Sequence, residues 1–168
     1  GGNISVALSL ACAKSAANSS GTNLFEYLCE DTEYTIPAPM ANVLGGGAHA
    51  VGGTDIQEYL VTAFDNDIST AIEANAFVHK TVKTLLKERF PNIALGKGDE
   101  GAWVAPLENV EALELVVKAA NIVEKETGVE IRPGLDMAAS EFYNNGTYNY
   151  KEQSLTPEEQ VDFVLGLI

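Results

Sequence analysis

Positive charge is scarce in this sequence. Only 10 lysines and arginines stand against 24 aspartates and glutamates, a formal net charge of −14 over 168 residues. The phosphate backbone of a nucleic acid would be repelled over most of such a surface, so no nucleic-acid partner is expected. No apolar run approaches the ~20 residues a membrane helix needs, and no basic region leads into a secretory apolar segment at the N-terminus. No membrane partner is expected, and the expected compartment is the cytoplasm. Cysteine is limited to Cys12 and Cys29, with 16 residues between them, which is not a metal-ligand spacing. Both lie in apolar helical surroundings, so buried free thiols are expected rather than a disulfide. Neither Gly-x-Gly-x-x-Gly nor Gly-Lys-Ser/Thr follows from the glycines at 45–47, which argues against a nucleotide cradle. Internal repeats and low-complexity linkers are lacking too.

What is present is enough for a sizeable core, at 46% hydrophobic residues. Residues 3–18 place Ile4, Leu8, Ala11 and Cys12 on one helical stripe, with Gly21 as the stop. A short second helix is expected from Leu24 to Leu28. Prolines between Tyr34 and Leu44 favour extended chain, and the stretch reads as a strand entering the glycine turn. Ile56 to Ala63 reads as the next strand. Residues 69–89 gather Ala71, Val78, Val82, Leu85 and Leu86 within one arc, opposite Glu73, Lys80, Lys83 and Lys87, which predicts an amphipathic helix. A second such helix is expected from Asn109 to Thr127, burying Leu113, Val116, Val117 and Ala120 and ending at Gly128. Val129 to Leu135 reads as a short strand that delivers Asp136. Thr156-Pro157-Glu158-Glu159 combines an N-cap, a proline at the first helical position and a capping-box glutamate. The apolar stripe Val161, Val164, Leu165 and Ile168 then runs to the last residue without a cap. With about three strands where a barrel of parallel strands needs eight, the pattern predicts a piece of a larger α/β domain.

Several residues carry possible chemistry. Gly98-Asp99-Glu100-Gly101 puts two carboxyls on a tight turn, where Asp99 would disfavour ionisation of Glu100 and help keep a proton available. An exposed acidic turn is the plainer reading. Asp136 at a strand end can offer oxygen to a hard cation, or simply cap the turn into Ala138-Ala139-Ser140. His49 follows three glycines on a loop, where a lone histidine is usually a solvated surface group. Gln57 and Glu58 open a strand and could face a ligand or water. His79, beside the apolar stripe of its helix, reads as a packed or interface histidine. Trp103 reads equally as a core or a pocket residue.

Taken together, Pro37-Ala38-Pro39-Met40-Ala41-Asn42-Val43-Leu44, Gly46-Gly47-Ala48-His49-Ala50, Gln57-Glu58-Tyr59, Gly98-Asp99-Glu100-Gly101 and Gly134-Leu135-Asp136-Met137-Ala138-Ala139-Ser140-Glu141-Phe142 resemble, in order and spacing, signature blocks of the enolases. Gly1-Gly2-Asn3 through Leu28 resembles the helical stretch that precedes them. The resemblance implies an incomplete TIM-like barrel over residues 34–168, preceded over residues 1–33 by the helical end of an N-terminal domain. It implies a magnesium-dependent lyase interconverting 2-phosphoglycerate and phosphoenolpyruvate, a small phosphorylated carboxylate substrate, and a homo-oligomer as the complete enzyme. By resemblance Glu100 is the general acid that assists departure of the 3-hydroxyl, Asp136 is a magnesium ligand, and His49, Gln57 and Glu58 contact substrate. Two further metal carboxylates and a lysine base would lie downstream, so the chain by itself is expected to be inactive. Magnesium would also supply the positive charge that so acidic a chain needs to hold a phosphorylated substrate. The sequence departs from the family pattern with Gly45 where Asn is usual, with Trp103 where Phe is typical, and with one extra residue between Gly101 and Pro106. An enolase-like binding or structural module without activity is the competing reading.

Overall fold

The computed structural model describes residues 1–29 and 34–167, the side chain of His49 excepted. The chain divides into two units, 1–37 and 38–168. In the first, helix α1 (Gly2–Ser20) ends at Gly21, which takes the left-handed conformation (φ 67°, ψ 24°) that lets its N–H reach back to the last carbonyls. Helix α2 (Leu24–Leu28) begins with a capping box in which the Asn23 N–H donates to Glu26 Oε2 at 2.7 Å. The expected buried stripe is not formed: Ile4 and Leu8 are more than half exposed. Val6 and Leu10, about 200° around the helix from them, are equally apolar and equally exposed, so the sequence defines no single face. Cys12 and Cys29 are free, as expected, but both are exposed rather than buried.

The second unit is built on a five-stranded sheet. Its strands are β1 (Met40–Gly45), β2 (Glu58–Phe64), β3 (Gly96–Lys97), β4 (Trp103–Val104) and β5 (Glu130–Asp136), in the order β3-β4-β1-β2-β5. Prolines set the start of β1: Pro37 and Pro39 have no N–H to give a ladder, so pairing begins at Met40 rather than at Tyr34. Strand β2 likewise begins later than expected, because the Ile56 N–H donates to the Asn109 side chain at 3.1 Å instead of to a neighbouring strand. Strand β2 runs antiparallel to both β1 and β5, a direction that the strand patterns alone left open. The connection from β1 to β2 contains no crossover helix, and without one a strand returns antiparallel.

Helices α3 (Ile68–Arg89) and α4 (Asn109–Thr127) pack against one face of this sheet and against each other. Asp67 caps α3 by accepting from the Ser69 and Thr70 N–H groups, and Gly128 (φ 74°) closes α4. The core between helices and sheet contains Leu44, Tyr59, Val61, Val78, Val82, Leu86, Val116 and Val123, each 0 or 1% exposed. Helix α4 is rotated from its expected face. Ala112, Leu115, Val116, Ala119, Ala120 and Val123 are buried, whereas Leu113 is half-buried and Val117 is exposed. Contact with α3 and the sheet at once selects the face where alanines allow close approach. A small second sheet of β6 (Tyr143–Asn144), β7 (Thr147–Asn149) and β8 (Ser154–Leu155) precedes helix α5 (Pro157–Leu165). In α5 the Thr156 hydroxyl accepts from the Glu159 N–H, and Glu159 Oε2 accepts from the Thr156 N–H at 2.8 Å. The expected continuation of the stripe to Ile168 lies outside the described residues. The fold is thus a mixed α/β arrangement with an open partial sheet, and no closed barrel forms among the described residues.

Candidate functional site

The glycine run after β1 is explained first by its own chain. The Gly46 N–H donates to the Gln57 carbonyl at 2.9 Å and the Gly47 N–H to the Thr54 carbonyl at 2.8 Å. A Cβ on Gly46 would stand 2.0 Å from Thr54 Oγ1 and 2.6 Å from two carbonyl oxygens, so no larger residue fits. Gly47, at φ +53°, lies against Gln57. The 45–47 segment is therefore sewn to the 54–57 segment, which fixes where Gln57 and Glu58 enter β2. His49 ends the 3-10 turn Gly47–His49; its side chain lies outside the described residues. Asn109 anchors the same loop from α4, its Oδ1 accepting from the Asp55 N–H at 2.9 Å and its Nδ2 donating to Asp55 Oδ2 at 3.1 Å.

The face of the sheet turned away from the helices carries the polar residues. Register pairs Glu58 with Asp136, Leu60 with Gly134, Thr62 with Arg132, and Asn42 with Leu60. Directly paired residues share a face and alternate ones lie opposite. The buried set Tyr59, Val61, Ala63 and Ile131 faces the helices, so Asn42, Glu58 and Asp136 face the other way. Between Asn42 and Leu44 the register shifts, the extra residue of a bulge, which lets Val43 and Leu44 both enter the core.

Glu100 reaches this face through Asn42, whose Nδ2 donates to Glu100 Oε2 at 3.2 Å across 58 residues of sequence. Sequence reasoning missed Asn42. An asparagine inside the otherwise apolar run Met40 to Leu44 was the available signal. Its Oδ1 is buried and has no hydrogen-bond partner among the described residues, which leaves one acceptor of this amide open beside the Glu100 carboxyl. Asp136 does what the plainer reading said, since its Oδ1 accepts from the Ala138 N–H at 2.9 Å, and its exposed carboxylate still faces the same side as Glu58. Glu58, Asp136, Asn42 and Glu100 are thereby gathered on one open face, with Gln57 next to it in sequence.

Glu58 and Asp136 offer only carboxylate oxygen, the donor type a hard divalent cation takes. They match magnesium in kind and not in number, because no group of three or more His, Cys, Asp or Glu side chains able to hold a metal occurs among the described residues. No helix is long and apolar enough to cross a membrane among those residues.

A partial sheet with helices on one face and carboxylates at strand ends on the other defines part of a barrel-type α/β domain. Residues 33–165 match the family model described as the enolase C-terminal TIM barrel domain. The chain is 46% identical to an enolase of Methanocorpusculum labreanum over 99% of its own length, 44% identical to one of Methanothermobacter thermautotrophicus over all of it, and 40% identical to one of Thermoplasma acidophilum over 99%. The chain belongs to the enolase family. It spans 41 or 42% of the length of these relatives.

Proposed function

We propose that this chain is the part of an enolase that supplies the general acid and the first metal carboxylate, and that the whole protein interconverts 2-phosphoglycerate and phosphoenolpyruvate. The observation that supports it is the gathering of Glu58, Asp136 and the Asn42-bonded Glu100 on one sheet face. In this reading residues 1–33 are the end of the preceding domain, and Asp136 is a magnesium ligand. Asp136 would help to hold the ion, which would supply positive charge to stabilise the substrate carboxylate when the C2 proton is lost. A base outside this chain takes the C2 proton, the C3–O bond breaks, and the Glu100 proton goes to the departing hydroxyl to make water. Gln57 and Glu58 orient the substrate beside Glu100, and His49 contacts it from the glycine loop.

The test is to separate the two halves of the reaction in the full-length protein. Glu100→Gln is expected to reduce phosphoenolpyruvate formation far more than solvent exchange of the C2 proton, because the acid is lost and the base kept. Equal loss of both would remove Glu100 from the acid role. A full-length wild-type protein that neither forms phosphoenolpyruvate nor exchanges the C2 proton, at any magnesium concentration, would favour a binding or structural module.

A further inference from the structure

The turn that carries Glu100 has little of its own to hold it. Its internal bonds run from the Gly101 N–H to the Gly98 carbonyl at 3.0 Å and from the Gly98 N–H to the Ala102 carbonyl at 2.9 Å. Gly101 sits at φ +83°, Asp99 and Glu100 are exposed, and the Glu100 carboxylate is met from β1 by the Asn42 amide. One side chain from another element also reaches the turn's backbone: His79 Nε2 lies 3.0 Å from the Gly101 carbonyl oxygen. Because a carbonyl only accepts, Nε2 carries the proton and donates. His79 is in turn held, since the Trp103 indole N–H donates to the His79 carbonyl at 2.9 Å and the two rings lie 5.1 Å apart at 31°. Trp103 is 7% exposed, and Lys83 and Lys97 place ammonium groups 4.9 and 4.6 Å from its ring centre. Val78 and Val82, one residue before and three after His79 in α3, are fully buried. The histidine therefore stands on a fixed platform.

We infer that His79 and Trp103 form a clamp that sets the position of the Glu100 turn, so that both are positioning residues for the acid. Two reciprocal bonds and a ring contact tie the two ends of the clamp together: helix α3 grips the chain just after Glu100, and the chain two residues on grips the helix. The inference rests on the proposed reaction for its consequence in catalysis, and not for the clamp itself. A clamp acting through the acid has a signature that general destabilisation lacks. Loss of His79 should slow departure of the hydroxyl more than removal of the C2 proton, and should lower kcat with little change in KM. Misplacement of a reacting group by about 1 Å is enough to cost roughly 10²-fold.

The experiment uses the full-length protein as wild type, His79→Ala, His79→Gln, His79→Asn and Trp103→Phe. Hydrogen exchange over the segment 96–104 is measured beside dehydration and C2-proton exchange. Gln can place a donor near the position of Nε2; Asn cannot reach it. The expected result is amide exchange about tenfold faster in His79→Ala and His79→Asn, restored in His79→Gln. Trp103→Phe, which keeps a ring and loses the N–H donor, is expected to fall between. Dehydration should follow the same order, dropping roughly 10- to 100-fold in His79→Ala while C2 exchange drops less. Should His79→Ala fail to fold, the Gln and Asn variants carry the comparison. Unchanged exchange in Ala and Asn, or equal exchange in Asn and Gln, overturns the clamp. Altered exchange with dehydration and C2 exchange reduced equally overturns its role through the acid. A wild-type protein with a protected turn and no reaction refutes the proposed function and leaves the clamp standing.

Discussion

The two faces of the sheet obey different rules. Under α3 and α4 the residues Tyr59, Val61, Ala63 and Ile131 are buried at 5% exposure or less, and each is held by dispersion and by exclusion of water. On the opposite face the same strands present Asn42, Glu58, Thr62, Arg132 and Asp136, none of them buried. One residue step along β2 crosses from one regime to the other. The packed face answers the question of why the chain folds, and the open face carries groups that folding does not need. Substitutions should separate accordingly, with loss of stability and intact chemistry on one side and the reverse on the other.

The largest effect is expected on the open face. Asp136→Ala in the full-length protein removes the proposed metal ligand, and metal catalysis supplies several kcal/mol at 1.36 kcal/mol per decade of rate. Dehydration of 2-phosphoglycerate should fall by roughly 10³-fold or more, with the thermal midpoint nearly unchanged. Undiminished turnover would take Asp136 out of the metal site.

On the packed face the expected loss is of the other kind. Leu86 is fully buried in the core between α3 and its neighbours, so Leu86→Ala should cost about 2–5 kcal/mol of stability. Denaturant unfolding measures it, and kcat per folded molecule should stay within about twofold. A large fall in kcat at full folding would show that the two faces are coupled more tightly than their separate chemistry suggests.

Burial periodicity made the packed face legible. The stripe Ala71, Val78, Val82 and Leu86 was readable because α3 repeats every 3.6 residues against a continuous surface, and Thr156-Pro157-Glu158-Glu159 was readable because a cap is a local structure. The direction of β2 was not readable, since it depends on the connection and not on the strand. Nor were β3, β4, β6 and β8, whose two residues each carry no alternation. The rotation of α4 came from a partner helix that no local pattern names. Family blocks pointed to Glu58, Glu100 and Asp136, but the Asn42 contact to Glu100 spans 58 positions and the His79 contact to Gly101 spans 22. Such contacts become visible only when the sheet has brought the segments together.

Tyr59 gives a pH test of the boundary between the faces. Burial pushes its phenol well above the ordinary value, with the nearby Asp55 and Glu108 carboxylates adding to the rise, while its hydroxyl donates to the Asn109 carbonyl at 3.2 Å. The folded state therefore favours the protonated phenol. That stability is fully present below the unfolded value of about 10 and is lost as pH rises through it toward the higher folded value. Tyr59→Phe should cost about 0.5–1.5 kcal/mol near neutrality through the lost hydrogen bond, and the gap from wild type should narrow above about pH 10. Urea midpoints of both proteins across the alkaline range test this, and a gap that stays constant would mean that the phenol does not titrate with unfolding.

The smallest effect is expected where the open face turns away after β5. Ala138 occupies the left-handed region at φ 46°, ψ 43°, a conformation that costs a residue with a Cβ roughly 1–2 kcal/mol. Its N–H is the donor to Asp136 Oδ1 at 2.9 Å, so the strained residue is also the one that orients the proposed ligand. Ala138→Gly removes the strain and keeps the N–H, but the unfolded chain gains freedom worth about 0.4–1 kcal/mol. The strain term is the larger, and a net stabilisation of about 0.8 kcal/mol is expected. Magnesium dependence in the full-length protein should shift by less than about threefold, since the hydrogen bond that holds Asp136 survives. Destabilisation by more than about 1 kcal/mol would show that the Ala138 methyl packs rather than strains. A large loss of magnesium affinity at unchanged stability would show instead that a stiff turn, beyond the hydrogen bond itself, is what keeps Asp136 in place.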